Sequence, residues 1–169
     1  MHLSTMFPLV ALLAIGRTGP ADGAQAYARL KQLEGSWRGT YSWTGARSGG
    51  GDLTATYRVS GMGSAVIEDL TMGGKLAMST VYHLDNGDLR ATHYCAAQNQ
   101  PRLKASDIDL TAGTMRFDFV DVTNLPTPDA PHVHGLTVHV IDADHMEIVF
   151  AFTGKGKESE EHIALTRTP

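Results

Sequence analysis

His93-x-Cys95 and His132-x-His134 are the residues of this chain best suited by type to do chemistry. Imidazole and thiolate bind zinc and other borderline metals, and i, i+2 spacing on a strand puts both members of a pair on one face. Brought to one rim, His93, Cys95, His132 and His134 would form a Cys/His₃ metal site. His93 and Cys95 also have the composition of a general base and its nucleophile. Two residues on one strand face, however, stand about 7 Å apart, too far for direct proton transfer. Cys95 is the only cysteine, and a buried, inert thiol is the ordinary state of such a residue. Beyond it, Gln98, Asn99 and Gln100 run into Pro101 and Arg102. Three amides can satisfy the backbone of a turn or orient a ligand at a cavity mouth.

No other stretch supplies a reaction. "GARSGGG" lacks the Lys-Ser/Thr end of a phosphate loop, and neither HExxH nor a Ser-His-Asp order is present. The chain of 169 residues is 42% hydrophobic and 19% charged with a net charge of −4, which suits one globular domain and gives no basic surface for nucleic acid. "MFPLVALLAI" is an apolar run too short to span a bilayer, and "AQA" at 24–26 has a small-x-small cleavage pattern. Residues 1–26 are therefore expected to be a signal peptide that leads to the periplasm or the medium. Residues 27–169 then form a single domain without a transmembrane segment.

The elements that must position the histidines are strands. "YARLKQLEG" is the one helical stretch, short and stopped by Gly35. After it, period-2 alternation bounded by Gly, Asn and Asp recurs in ten runs, with "DNGD" as the strongest hairpin turn. Sequential antiparallel strands with short links predict an all-β, ten-stranded up-and-down barrel, whose closure removes the exposed edges. In such a meander the links at 61–63, 85–87, 110–113 and 142–144 fall at one end. The longer links at 44–52, 71–76, 96–101, 122–132 and 153–159 fall at the other, which predicts a cup with a loop-rich mouth.

"LEGSWRGTY" resembles the Gly-x-Trp signature of the calycin superfamily, which includes lipocalins, fatty-acid-binding proteins and nitrobindins. The resemblance implies that Trp37 sits at the closed end of the barrel against Arg167 of "ALTRTP". The "THYC…NQP" stretch is similar to one found in exported bacterial lipocalin-like proteins of unknown function. Nitrobindins are ten-stranded calycins that bind haem through a histidine near the C-terminus, and similarity to their opening pattern offers His162 for that role.

Alternation places Tyr41, Trp43, His93, Cys95, His134, Phe150 and Phe152 inside the cup, with Asn99 and Arg102 at its mouth. Met115, Phe117 and Phe119 share an inward row. The resulting expectation is a binding protein rather than an enzyme, with no catalytic residue, taking a small apolar or amphipathic molecule. No cofactor belongs to that reading. Its alternatives are a haem- or metal-binding barrel with nitrobindin-like chemistry and an interaction module whose interior is filled. Neither ligand identity nor oligomeric state is legible in the sequence.

Overall fold

The computed structural model describes residues 22–169. The helix α1 (Gly23–Lys31) precedes ten strands: β1 (Gly35–Gly45), β2 (Gly50–Ser60), β3 (Ala65–Met72), β4 (Lys75–Asp85), β5 (Asp88–Tyr94), β6 (Gln100–Asp109), β7 (Thr114–Thr123), β8 (His132–Val140), β9 (His145–Gly154) and β10 (Lys157–Arg167). Each strand pairs antiparallel with its neighbours in sequence, and β1 also pairs with β10, which closes the barrel. The expected meander is thus the observed one.

One end is plugged. Ala26, Tyr27 and Leu30 of α1, with Leu33 just after it, join the core, and the Tyr27 hydroxyl donates to the Gly63 carbonyl at 3.0 Å. Gly23 packs so closely on the β4–β5 turn that a Cβ there would lie 2.3 Å from the Gly87 oxygen. Trp37 is 1% exposed at this end, with its indole N–H donating to the Leu33 carbonyl at 2.9 Å and the Arg167 guanidinium 4.2 Å above its ring. The glycine of the Gly-x-Trp stretch has a physical reason. Gly35 has φ +134°, and a Cβ on it would meet the Arg167 side chain at 2.9 Å.

The mouth is less loop-rich than expected. The strands run further than their alternation suggests, so the β3–β4 and β9–β10 links are tight turns at 73–74 and 155–156. Only the β5–β6 and β7–β8 links outgrow those at the opposite end. The plug, more than loop length, distinguishes the two ends.

The expected boundary after Ala26 falls inside α1. The helix is capped by Asp22, whose side chain accepts from the Gln25 N–H at 2.9 Å while the Gln25 side chain accepts from the Asp22 N–H. A chain beginning at Tyr27 loses this cap and the buried Ala26. Such a chain is expected to be less stable than one beginning at Asp22 by about 1–2 kcal/mol in urea unfolding. Equal stabilities would show that the cap contributes nothing. Residues 1–21 lie outside the described structure.

Candidate functional site

The interior rows are set by alternation: Trp37, Tyr41 and Trp43 on β1, Val66, Glu68 and Leu70 on β3, Thr80 and Tyr82 on β4, and Ala91 and His93 on β5. Across the barrel Phe117, Leu136, Val138, Ile148, Phe150 and Ile163 are buried. Together they fill the lower barrel solidly. Above them a cup of about 360 Å³ opens at the unplugged end, bounded by Tyr41, Trp43, Met72, Met78, Cys95 and Phe152, with Arg47 and Glu161 as its charged groups.

The rings of Trp43 and Phe152 lie 5.0 Å apart, tilted by 57°. The Arg47 guanidinium sits over both, 4.5 Å from Trp43 and 4.6 Å from Phe152. Its loop is tied at the backbone: the Arg47 N–H donates to the Ser159 hydroxyl at 3.1 Å, and the Ala46 N–H to the Glu158 carbonyl at 2.9 Å. Glu161 pairs with Trp43 in the β1–β10 ladder and is 2% exposed. Its Oε2 is buried with no hydrogen-bond partner. Burial pushes its carboxyl up to about 7, against the opposing pull of Arg47.

Beneath the cup lies a polar network. The hydroxyls of Tyr57 and Tyr82 donate to Glu68 Oε2 at 2.6 and 2.9 Å, and Thr80 donates to Oε1 at 3.3 Å. Thr80 has one proton, committed to Glu68, so it accepts from His93 Nδ1–H at 2.9 Å. That fixes the tautomer and leaves the lone pair on His93 Nε2, which is buried without a partner. His93 is fully buried, its ring 4.6 Å from that of Phe150, and desolvation holds it neutral, down to about 3. Burial raises Glu68 as well, against its three donors. Desolvation likewise raises the Cys95 thiol, whose sulfur accepts from the Ala97 N–H at 3.4 Å. A raised thiol pKa opposes thiolate chemistry.

The residues expected at the cup divide into two groups. Tyr41, Trp43, Cys95 and Phe152 bound it, with His93 and Phe150 directly in the core. The others lie elsewhere. His134 is the extra residue of a bulge between Val133 and Gly135, so the apolar row restarts at Leu136 and the imidazole turns outward, 37% exposed and 3.5 Å from Glu158. An isolated glycine within a strand run, Gly135, is the signal that could have located the bulge. Arg102 is on the outer surface, ion-paired with Asp121, its Nη2 donating at 2.6 Å. Asn99 is buried but structural: its amide donates to the Pro131 carbonyl at 2.9 Å and ties two loops together. Phe119, expected inward, is 39% exposed beside a second bulge and packs on the His132 ring. Pro101 lies within β6, past the end of the short β5–β6 ladder, so its missing N–H breaks no bond to β5.

The four candidate metal ligands are not brought together. His93 is in the core, Cys95 at the cup, His132 against the Ala130 carbonyl and His134 outside. Among the described residues, no three His, Cys, Asp or Glu side chains are grouped as a metal site. His162 also faces outward, 3.1 Å from Glu160 and 3.3 Å from the Thr44 hydroxyl, where it cannot reach a group held in the cup. Sequence reasoning missed Arg47, Glu68 and Glu161. Parity could have found the acids, since Glu68 lies between Val66 and Leu70 and Glu161 two residues before Ile163.

No protein-family description matches the chain, and no curated protein matches it. Among solved structures, it is similar to a protein of unknown function from the DUF3598 family of Nostoc punctiforme PCC 73102, with TM-score 0.55 and 13% identity over 82% of this chain and 49% of that one. It is also similar to Rv2717c from M. tuberculosis, with TM-score 0.55 and 14% identity over 85% of this chain and 98% of that one. The S-type phycobiliprotein lyase CPES from Guillardia theta aligns with TM-score 0.45 and 8% identity over 84% and 92% of the two chains. The chain thus spans about half the length of the DUF3598 protein and nearly all of Rv2717c. At these identities the likeness is one of fold alone, that of a closed antiparallel β-barrel.

Proposed function

We propose that this barrel is an exported binding protein that holds a small apolar or amphipathic molecule in its mouth. The cup is the observation that carries the reading. It is lined by aromatic and thioether side chains, has one acid and one base for orientation, and its volume of about 360 Å³ is in the range of small-ligand sites. Because the lower barrel is filled, the ligand sits in the mouth only, and a long chain would protrude. The haem alternative gains no support from His162, which points away from the cup, and the four-ligand metal set is dispersed.

Trp43 reports occupancy, since it lines the cup while Trp37 lies at the plugged end. Titration with the uncharged probe N-phenyl-1-naphthylamine should change the tryptophan emission of the wild type and leave Trp43→Phe nearly silent. Native mass spectrometry of gently purified protein should show a small organic adduct. An emission change equal in both proteins, or none in either, would count against the cup. Export is proposed with cleavage before Asp22, which preserves the α1 cap. N-terminal sequencing of exported protein should therefore begin at or before Asp22, and recovery of Met1 would refute export.

A further inference from the structure

The cup already holds a cation in an aromatic setting. The Arg47 guanidinium covers Trp43 and Phe152 and, among the described residues, makes no ion pair or side-chain hydrogen bond. Beside it, directly opposite Trp43 in the β1–β10 ladder, Glu161 has a buried oxygen without a donor. A cation over two ring faces with an unsatisfied carboxylate alongside is the recognition chemistry of an organic cation. Arg47 is free to leave. Its loop is anchored by backbone bonds to Ser159 and Glu158, so a change of side-chain rotamer uncovers the rings without unfolding anything.

We propose that the cup selects molecules carrying an ammonium or guanidinium head on a short apolar body, the head replacing Arg47 over Trp43 and Phe152 and donating to Glu161. The proposal rests on the cup as the ligand site. Met72, Met78 and Tyr41 supply the wall for the apolar body. The groups that face Glu161 are few: Arg47 from the β1–β2 link, Cys95 from the end of β5, and Tyr41 from β1. Arg47 is the one cation among them, and it is spent on the rings. A carboxylate head would meet Glu161 at its back and gain only Arg47 at the rim.

The test uses full-length protein and three probes that differ only in the head: n-octylammonium, n-octanol and n-octanoate. Trp43 emission and calorimetry are read at about pH 8, where both the amine and Glu161 are charged. Octylammonium is expected to bind at least about tenfold more tightly than either competitor. Glu161→Gln should bring it within about threefold of octanol, and Arg47→Gln should strengthen it about threefold or more by removing the internal rival. Equal affinity for the three heads, tightest binding of octanoate, or unchanged affinity in Arg47→Gln would overturn the head assignment while leaving the cup as a ligand site. Failure of all three probes to bind by both methods would overturn the cup itself and this inference with it. The head-group series needs only the wild type, so the proposal stays falsifiable if a variant fails to fold.

Discussion

Trp37→Ala is expected to lower the free energy of unfolding by about 3–5 kcal/mol. The side chain is 1% exposed, lies edge-on to Tyr57 with centroids 6.3 Å apart, and its indole satisfies the Leu33 carbonyl. Arg167 lies over the other side of the ring and binds the chain around it, donating to the Glu34, Gln32 and Ala143 carbonyls at 2.8, 3.0 and 2.9 Å. Removing the indole leaves a void that these neighbours are too constrained to fill. It also strips the Leu33 carbonyl of its donor. Urea unfolding followed by circular dichroism measures the loss. Trp37→Phe should lose less, because it keeps an aromatic ring in the site and gives up part of the indole volume and one hydrogen bond. A loss below about 1 kcal/mol for Trp37→Ala would mean that the plugged end collapses over the gap and that the Trp–Arg clamp does not hold it.

His93 is expected to oppose folding as the pH falls. Its pKa is depressed in the folded protein, from 6.5 to about 3, because burial disfavours the charged ring. Between those values the unfolded chain binds a proton that the native protein refuses, so stability falls as pH drops from 6.5 towards 3. At about 1.4 kcal/mol per pH unit the loss from pH 6.5 to pH 4 is roughly 3 kcal/mol. Glu161 slopes the opposite way, since its raised pKa makes the native state bind the proton more tightly between about 4.5 and 7. The comparison with His93→Gln isolates the imidazole. Gln keeps a donor for Thr80 and cannot be protonated, so its urea midpoint should fall far less on acidification. Parallel pH profiles for the two proteins would show that His93 is protonated without unfolding, which its lack of exposure opposes.

Alternation and turn chemistry were sufficient for the architecture. The period-2 rows of Ile148, Phe150 and Phe152, of Met115 and Phe117, and of Leu136, Val138 and Val140 bury as their parity requires. The Gly-Asn-Asp punctuation places the links in the right order, so the meander and its closure were both legible. These are consequences of a side-chain period of two and of the need to leave no edge. Strand ends were less legible, because alternation continues into residues that pair only when a neighbouring strand happens to reach them.

The sequence by itself determined that His93 lies inside, because no irregularity separates it from Leu89 and Ala91 on β5. It could not determine the same for His134 or Phe119. His134 is the extra residue of one bulge and Phe119 lies beside another, and a bulge depends on how two strands share a twisted ladder more than on either strand alone. Only the tertiary structure decided that Arg47, from a glycine-rich link, folds back over Trp43 and Phe152, and that Glu161 stands beside them without a donor. Those contacts join β1, β9 and β10 across the closing seam of the barrel. The sequence separation between Arg47 and Glu161 is bridged by no local pattern, so their meeting depends on closure alone.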